Sequence, residues 1–448
     1  MTTPKYLVAI FGGAVSGSEA AAQLAARGIP SVVFEQNALP FGKIEDGLPK
    51  WHVKLRDKEI NKINEKLSHP LVTYVPCTAL GREVDFVDVS NWGFSAVLLA
   101  TGAWRDRPLP IEGIDQYLGK GLVYQNPFIY WFNHMHEPGF DNTEYEIKDE
   151  VAIIGGGLAS LDVAKVLMFE TVKEALQQRS HDVDLFTLDR SIAKVLDGLN
   201  LTLDDLGIKG CTLFYRRRAK DMPLSPLPTD TPEQLEKAQG VREKILNNYQ
   251  SKYLFNFEPN HVPVQVMTEG DRLTGLVFRR TRIENGRAIE IEGSDREVKF
   301  PYVVSSIGSI PELIPGIPSK GQTYQIDDEV FCRIHGFPTV YALGNAVTGR
   351  GNIKESAAHG KMIAENIIEG FLTDNEGEPN QDVRSRIEEA ISTLSKEIKD
   401  FKISSETYQS ILSRINKLQQ KAGYDGNYLK WVTDHMPARL EKLLGIEH

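Results

Sequence analysis

Cysteine is scarce in this chain. There are three in 448 residues (Cys77, Cys211 and Cys332), far apart and with no Cys-x-x-Cys pair. That spacing excludes a local redox dithiol and any four-cysteine cluster built from this chain alone, and it suits a reducing, cytoplasmic setting. Long apolar runs are missing as well: none reaches roughly eighteen residues, so no membrane-spanning helix is expected. The opening, Met1 to Tyr6, is polar and lacks the apolar core of a signal peptide. Positive charge is not in surplus, and a net charge of −10 argues against a general nucleic-acid binder. No paired histidines and no metal-ligand cluster stand out, so neither a metal site nor a catalytic side chain is assigned.

Hydrophobic residues make up 41% and charged residues 25%, as in an ordinary globular protein. The length is too great for one core, and two or three domains are expected. The most informative stretch is Val151 to Lys165. Four apolar residues, Val151 to Ile154, run into Gly155, Gly156 and Gly157 with no polar break, as a buried parallel strand does. Leu158, Leu161, Val163, Val166 and Leu167 follow at spacings that suit a buried helix. Strand, tight turn and helix form the start of a dinucleotide-binding unit. Gly155 makes the turn, and Gly157 lets backbone N–H groups approach a pyrophosphate. The helix beginning at Leu158 adds free donors and the positive end of its dipole. Ser160 stands where a small residue lets helix and strand pack closely.

A second copy lies near the N-terminus. Tyr6 to Phe11 is a short apolar strand, Gly12-Gly13-Ala14-Val15-Ser16-Gly17 is its turn, and an alanine-rich helix follows to Arg27, stopped by Gly28. Ser31 to Phe34 then gives a strand ending at Glu35. This carboxylate lies about 23 positions after Gly12, near the spacing at which such a group accepts hydrogen bonds from a ribose. Ala14 occupies the middle glycine position, so its methyl group is expected to face the pyrophosphate. Beyond it, Lys43, Lys50, Lys54, Arg56, Lys58 and Lys62 make a basic stretch with Glu45, Asp46, Asp57 and Glu59 mixed in. Pro70 to Val75 and Glu83 to Val87 read as short strands, and Ser95 to Ala100 as another, ending in Thr101-Gly102-Ala103.

Glu35, the Gly47-Leu48-Pro49-Lys50 stretch, Ala100-Thr101-Gly102-Ala103 and the Gly155 turn occur in an order that resembles one flavoprotein superfamily. The chain is similar there to adrenodoxin reductase-type ferredoxin–NADP reductases and to the small subunit of NADPH-dependent glutamate synthase. The resemblance covers roughly residues 4–372. It implies an α/β fold of two Rossmann-like dinucleotide-binding domains, with an NADPH domain inserted into a discontinuous FAD domain. By this likeness Gly12, Gly13, Ala14, Gly17 and Glu35 hold the ADP half of FAD, Lys50 contacts a cofactor, and Thr101 and Gly102 mark a crossing between domains. It also implies that Gly344 and Asn345 meet the ribityl chain, Asn345 standing where relatives carry Asp. Gly351, Asn352 and Ile353 lead into a helix expected near Lys354, whose first N–H groups are expected to face the flavin.

The second domain is expected to hold NADPH through Gly155, Gly157 and Leu158. A polar, irregular insertion, Gln177 to Lys209, delays the next strand until Cys211 to Tyr215, which ends in Arg216, Arg217 and Arg218. Three arginines at a strand's carboxyl end suit a dianionic 2′-phosphate. Alternation along the strand suggests that Arg216 and Arg218 share one side. Thr229 to Tyr253 reads as a charged surface helix, and Leu273 to Glu292 as a hairpin about Glu284-Asn285-Gly286-Arg287. After Leu372 comes a polar linker, Thr373 to Gln381. Three amphipathic segments follow, about Val383 to Ile398, Tyr408 to Leu418 and Tyr428 to Leu444. They either dock on their own domain or offer a surface to a partner or second subunit.

The expected organisation is therefore residues 1–120 and 301–372 for FAD, 121–300 for NADPH, and 373–448 as a helical extension. The expected activity is hydride transfer from NADPH to FAD and electron transfer to a small acidic one-electron carrier such as ferredoxin. An electron-input subunit of a larger glutamate synthase-like complex, or a non-catalytic flavin-binding sensor or scaffold, are the alternatives.

Overall fold

Val8, Ala9, Ile10 and Phe11 are all buried, as a strand covered on both faces must be. They open the chain's path, described by a computed structural model for residues 3–349, 351–372 and 401–446. After β1 (Val8–Phe11) come α1 (Val15–Ala26), β2 (Ser31–Phe34), α2 (Val53–Leu67), β3 (Val72–Val75) and β4 (Ala96–Leu99). Next are β5 (Leu122–Tyr124), β6 (Ala152–Gly155), α3 (Leu158–Gln177), β7 (Thr212–Tyr215) and α4 (Pro232–Tyr253). These lead to β8 (Asn256–Pro259), β9 (His261–Glu269), β10 (Arg272–Glu284), β11 (Arg287–Glu290), β12 (Arg296–Lys299) and β13 (Val303–Ser306). The path closes with β14 (Val340–Ala342), α5 (Ile353–Phe371), α6 (Ser405–Ala422), α7 (Tyr428–His435) and α8 (Leu440–Leu443).

The chain divides into two units. The first takes in Met1–Leu48, His52–Arg105 and Ser309–His448; the second takes in Pro49–Trp51 and Asp106–Gly308. In the first unit a parallel sheet runs in the order β14-β4-β1-β2-β3. Strand β1 therefore has its successor on one side and β4 on the other, and the turn after Phe11 opens at the point where strand order reverses. One face of this sheet is covered by α1, α2 and α5, through Ala20, Leu24, Ile60, Ile63, Ile363 and Ile367.

The second unit repeats the plan. Its parallel sheet runs β5-β13-β6-β7-β8, so β6 again sits between strands of opposite progression. A separate antiparallel sheet, β9-β10-β11 with β12 also on β10, lies beside it. The β10–β11 hairpin turns at Asn285 and Gly286, both at positive φ, which is the geometry a two-residue turn needs. The segment from Gln177 to Lys209 is not irregular as expected. It holds three short helices, Leu185–Arg190, Ile192–Gly198 and Leu203–Leu206, capped by Asp184, Ser191 and Thr202. Leu185, Phe186, Leu188, Ile192 and Leu196 are buried, and those few apolar residues suffice to dock a mostly polar segment.

Of the expected C-terminal segments, Val383 to Ile398 and the linker before it lie outside the described residues. The other two pack on the first unit. Ile403, Ile411 and Ile415 join a core with Val75, Trp92 and Phe94, while Tyr424, Tyr428, Trp431 and Val432 join one with Ile63, Leu67 and Tyr74. Polar groups seal the seam. Trp431 Nε1 donates to the Ala38 carbonyl (2.8 Å), Gln419 Nε2 to the Tyr74 carbonyl of edge strand β3 (2.7 Å), and Tyr428 Oη to Asn64 Oδ1 (2.8 Å). Arg439 grips Glu45 through both guanidinium Nη atoms, and Arg56 on α2 pairs with Glu441. The docked-appendage reading describes these residues.

Candidate dinucleotide sites

In the first unit, Gly12 takes φ +103°, and a Cβ there would lie 2.4 Å from the Ala100 carbonyl oxygen. A Cβ on Gly17 would lie 1.8 Å from the Gly12 oxygen, so no larger residue lets α1 approach the turn this closely. Ala14 is the N-cap of α1 and its side chain satisfies none of the helix's first amides, which remain available as donors. The Ala14 methyl packs near Gly42, whose added Cβ would come within 3.0 Å of it. Glu35 is buried, with Oε2 accepting from Gly13 N–H (2.8 Å) and Oε1 from Asn37 N–H (3.1 Å). Burial pushes its carboxyl up to about 7 against the pull of those amide bonds. Two oxygens with unused lone pairs at the end of β2 fit a ribose diol.

The returning segment closes the same unit. Thr101 and Gly102 follow β4, Gly102 at φ +71°. Gly344 follows β14 at φ +64° and leaves no room for a Cβ, which would meet Ser16 Oγ at 2.5 Å. Asn345 Oδ1 accepts from Gly351 N–H (2.8 Å) and Thr348 Oγ1 (3.1 Å), so the amide's oxygen closes its own loop. Asn352 caps α5 by accepting from Glu355 N–H (2.8 Å), and the helix begins at Ile353. Gly12, Gly13, Ala14, Gly17, Glu35, Thr101, Gly102, Gly344, Asn345, Gly351, Asn352 and Ile353 thus all belong to one unit. Lys50 does not: it lies in the second unit, buried, its Nζ 4.3 Å from the Phe132 ring centroid. Burial lowers its ammonium to about 8, partly offset by Glu170.

In the second unit, a Cβ on Gly155 would meet Ser160 Cβ and the Ser306 oxygen, each at 2.6 Å, while one on Gly156 would enter the Tyr215 ring. Gly157 faces open space; it is the N-cap of the 20-residue helix α3 and offers no side-chain cap. Leu158 beside it is half exposed. An uncapped helix start over an open glycine is a cradle for an anionic group.

The arginines depart from the expected alternation because β7 ends at Tyr215. Arg218 is engaged by Asp221, with Nε to Oδ2 at 2.8 Å and Nη2 to Oδ1 at 3.0 Å. Burial works against the Asp221 charge, but the Arg218 and Arg217 guanidiniums hold the carboxyl below its usual range. Arg216 is exposed, and Arg217 Nε is buried without a hydrogen-bond partner. Sequence reasoning missed two neighbours. Tyr215 packs its ring on Gly156 and donates to the Asp221 carbonyl (3.1 Å). Arg242, from α4, has an unpaired buried Nε and joins Arg216 and Arg217 in acting on the Tyr215 hydroxyl. Nothing local in a charged helix marks one arginine as turned inward.

No family model matches the chain. It is 25% identical over 321 residues to the protein named NADPH-Fe(3+) oxidoreductase subunit beta of Geobacter sulfurreducens, a match covering 68% of this chain and 37% of that one. It is 23% identical over 345 residues to the probable NADPH:adrenodoxin oxidoreductase of Schizosaccharomyces pombe, covering 70% of each. The chain spans only about a third to a half of the length of the first relatives it matches. Among solved structures, Mycobacterium tuberculosis FprA in complex with NADPH superposes with a TM-score of 0.67 at 20% identity, over 93% of this chain and 91% of that one. The fold is that of FprA, and the likeness to adrenodoxin reductase-type proteins implied by the motifs extends through most of the chain.

Proposed function

We propose that the chain is an FAD-dependent oxidoreductase that takes hydride from NADPH and passes electrons to a one-electron carrier such as ferredoxin, in a reducing cytoplasmic setting. The supporting observation is the duplication: two glycine turns at strand-order reversals in separate units, the next strand running into Glu35 in the first and into Arg216, Arg217 and Arg218 in the second. In this reading Gly12, Gly13, Ala14 and Gly17 present the amides of α1 to the FAD pyrophosphate, and the Glu35 carboxyl oxygens accept from its ribose. Thr101, Gly102, Gly344, Asn345, Gly351, Asn352 and Ile353 form the flavin side, where the positive end of α5 favours negative charge on a bound group. Gly155, Gly157 and Leu158 receive the NADPH pyrophosphate. Arg216 and Arg217 take its 2′-phosphate, with Arg218 held alongside by Asp221. Hydride and one-electron chemistry are supplied by the bound cofactors; the chain binds and orients them.

A second reading is favoured by one comparison. The relatives named as subunits beta, of an NADPH-Fe(3+) oxidoreductase and of an NADP(+)-dependent formate dehydrogenase, belong by name to larger assemblies. Here the chain feeds electrons into a partner subunit and not into a free carrier. Reduction of ferredoxin by the purified chain with NADPH supports the first reading. Activity only with a co-purified subunit supports the second, and a bound flavin that neither route reduces sinks both.

A further inference from the structure

We propose that His359 is a positioning residue for the flavin side of the first unit, acting as a neutral hydrogen-bond acceptor. This rests on the reading of that unit as the FAD site. The Gly344 N–H donates to His359 Nδ1 at 3.0 Å. An amide can only donate, so Nδ1 carries the lone pair and Nε2 carries the hydrogen. Nε2 lies 3.8 Å from Cys332 Sγ, and that sulfur lies 3.8 Å from the Glu329 carbonyl. Burial pushes the Cys332 thiol up to about 12, so it stays protonated and donates onward to Glu329. The contacts therefore run one way, from Gly344 N–H to Nδ1, from Nε2–H to sulfur, and from S–H to carbonyl.

The anchor matters because of what Gly344 carries. Its carbonyl accepts from the amides of Val347 and Thr348, and its Cα faces Ser16 in the first turn of α1. The next residue, Asn345, closes the loop through Gly351. Gly360, beside His359, leaves no room for a Cβ against the Ser16 carbonyl, which would lie 2.6 Å away. His359 thus ties α5 to the Gly344 loop where both meet the glycine turn. Without an acceptor at Nδ1, the Gly344 amide loses its partner, and the loop bearing Asn345 is no longer fixed in the conformation that the cofactor meets.

Leu and Asn both branch at Cγ as His does, but only Asn puts an oxygen where Nδ1 stands. FAD binding to the apoprotein, followed by quenching of flavin fluorescence, should weaken at least about tenfold in His359→Leu and stay near wild type in His359→Asn. Equal weakening in both variants, or none in either, overturns the proposal. A wild-type apoprotein that fails to quench FAD overturns the underlying reading and the proposal with it. Nitrogen-15 NMR of the imidazole needs no variant to fold: an unprotonated Nδ1 with protonated Nε2 in the wild type supports the assignment, and the opposite tautomer overturns it.

Discussion

Arg218 and Asp221 hold each other through two hydrogen bonds, Nε to Oδ2 at 2.8 Å and Nη2 to Oδ1 at 3.0 Å. The pair commits one of three consecutive arginines to the turn after β7; Arg216 is exposed, and Arg217 keeps an unpaired Nε while its Nη2 lies 3.7 Å from Asp221 Oδ1. Changing Arg216 and Arg217 to neutral residues should raise the KM for NADPH and leave that for NADH nearly unchanged. Each charged hydrogen bond lost costs about 1.5–3 kcal/mol, or roughly ten- to a hundredfold per residue. Changing Arg218 should instead loosen the turn and affect both nucleotides alike. Steady-state kinetics with the two nucleotides separates these outcomes.

The basic stretch of α2 and its approach is less uniform than its composition suggests. Lys50 and Arg56 are buried, Arg56 pairs with Glu441, and Lys62 pairs with Glu59 at 2.7 Å. Lys54 and Lys58 are exposed. If this face receives an acidic carrier, Lys54→Glu with Lys58→Glu should slow reduction of ferredoxin and flatten its dependence on salt, while a small artificial acceptor is reduced as before. Loss of both activities would show that these lysines serve the fold.

Burial raises the Glu35 carboxyl from 4.5 to about 7. A carboxyl with a raised folded-state value stabilises the apoprotein most below its unfolded value, and that contribution is lost as pH rises through the folded one. The rise is worth about 3 kcal/mol at most, so the apoprotein should melt higher near pH 5 than near pH 8. Glu35→Gln should flatten that difference. An unchanged pH profile in the variant would remove Glu35 as its source.

The glycine turns were legible in the sequence because their requirement is geometric. Gly12, Gly17 and Gly155 stand where a single Cβ would strike a backbone oxygen, so the residue type itself reports the contact. The role of Arg218 was not legible. Strand alternation does not carry past the end of β7 at Tyr215, and nothing in the spacing marks Asp221 as the ion-pair partner of Arg218. Glu83 to Val87, read as a strand, contains instead the start of a short helix, Phe86–Ser90, capped by Asp85 accepting from Asp88 N–H. There a local cap outweighs β-branched composition. The Gly344–His359 bond joins residues fifteen apart across a loop and a helix start, and no periodicity points to it.

The C-terminal segment should behave as part of the first unit and not as a free arm. Trp431 is buried on Tyr424 and donates to Ala38, so Trp431→Ala should cost about 3–5 kcal/mol. Removing residues after Leu372 exposes Tyr74, Ile63 and Leu67 together and should lower the melting midpoint further. A truncated chain as stable as the whole would contradict the packing described.

The central claim is that electrons pass from NADPH to a flavin held by this chain. Rapid anaerobic mixing of the FAD-loaded protein with NADPH tests it most directly, with the yellow flavin absorbance followed in time. The account predicts bleaching within seconds by NADPH, far slower bleaching by NADH at the same concentration, and recovery of colour when oxidised ferredoxin is added. A flavin that stays yellow under excess NADPH, with both nucleotides shown to be bound, would contradict it.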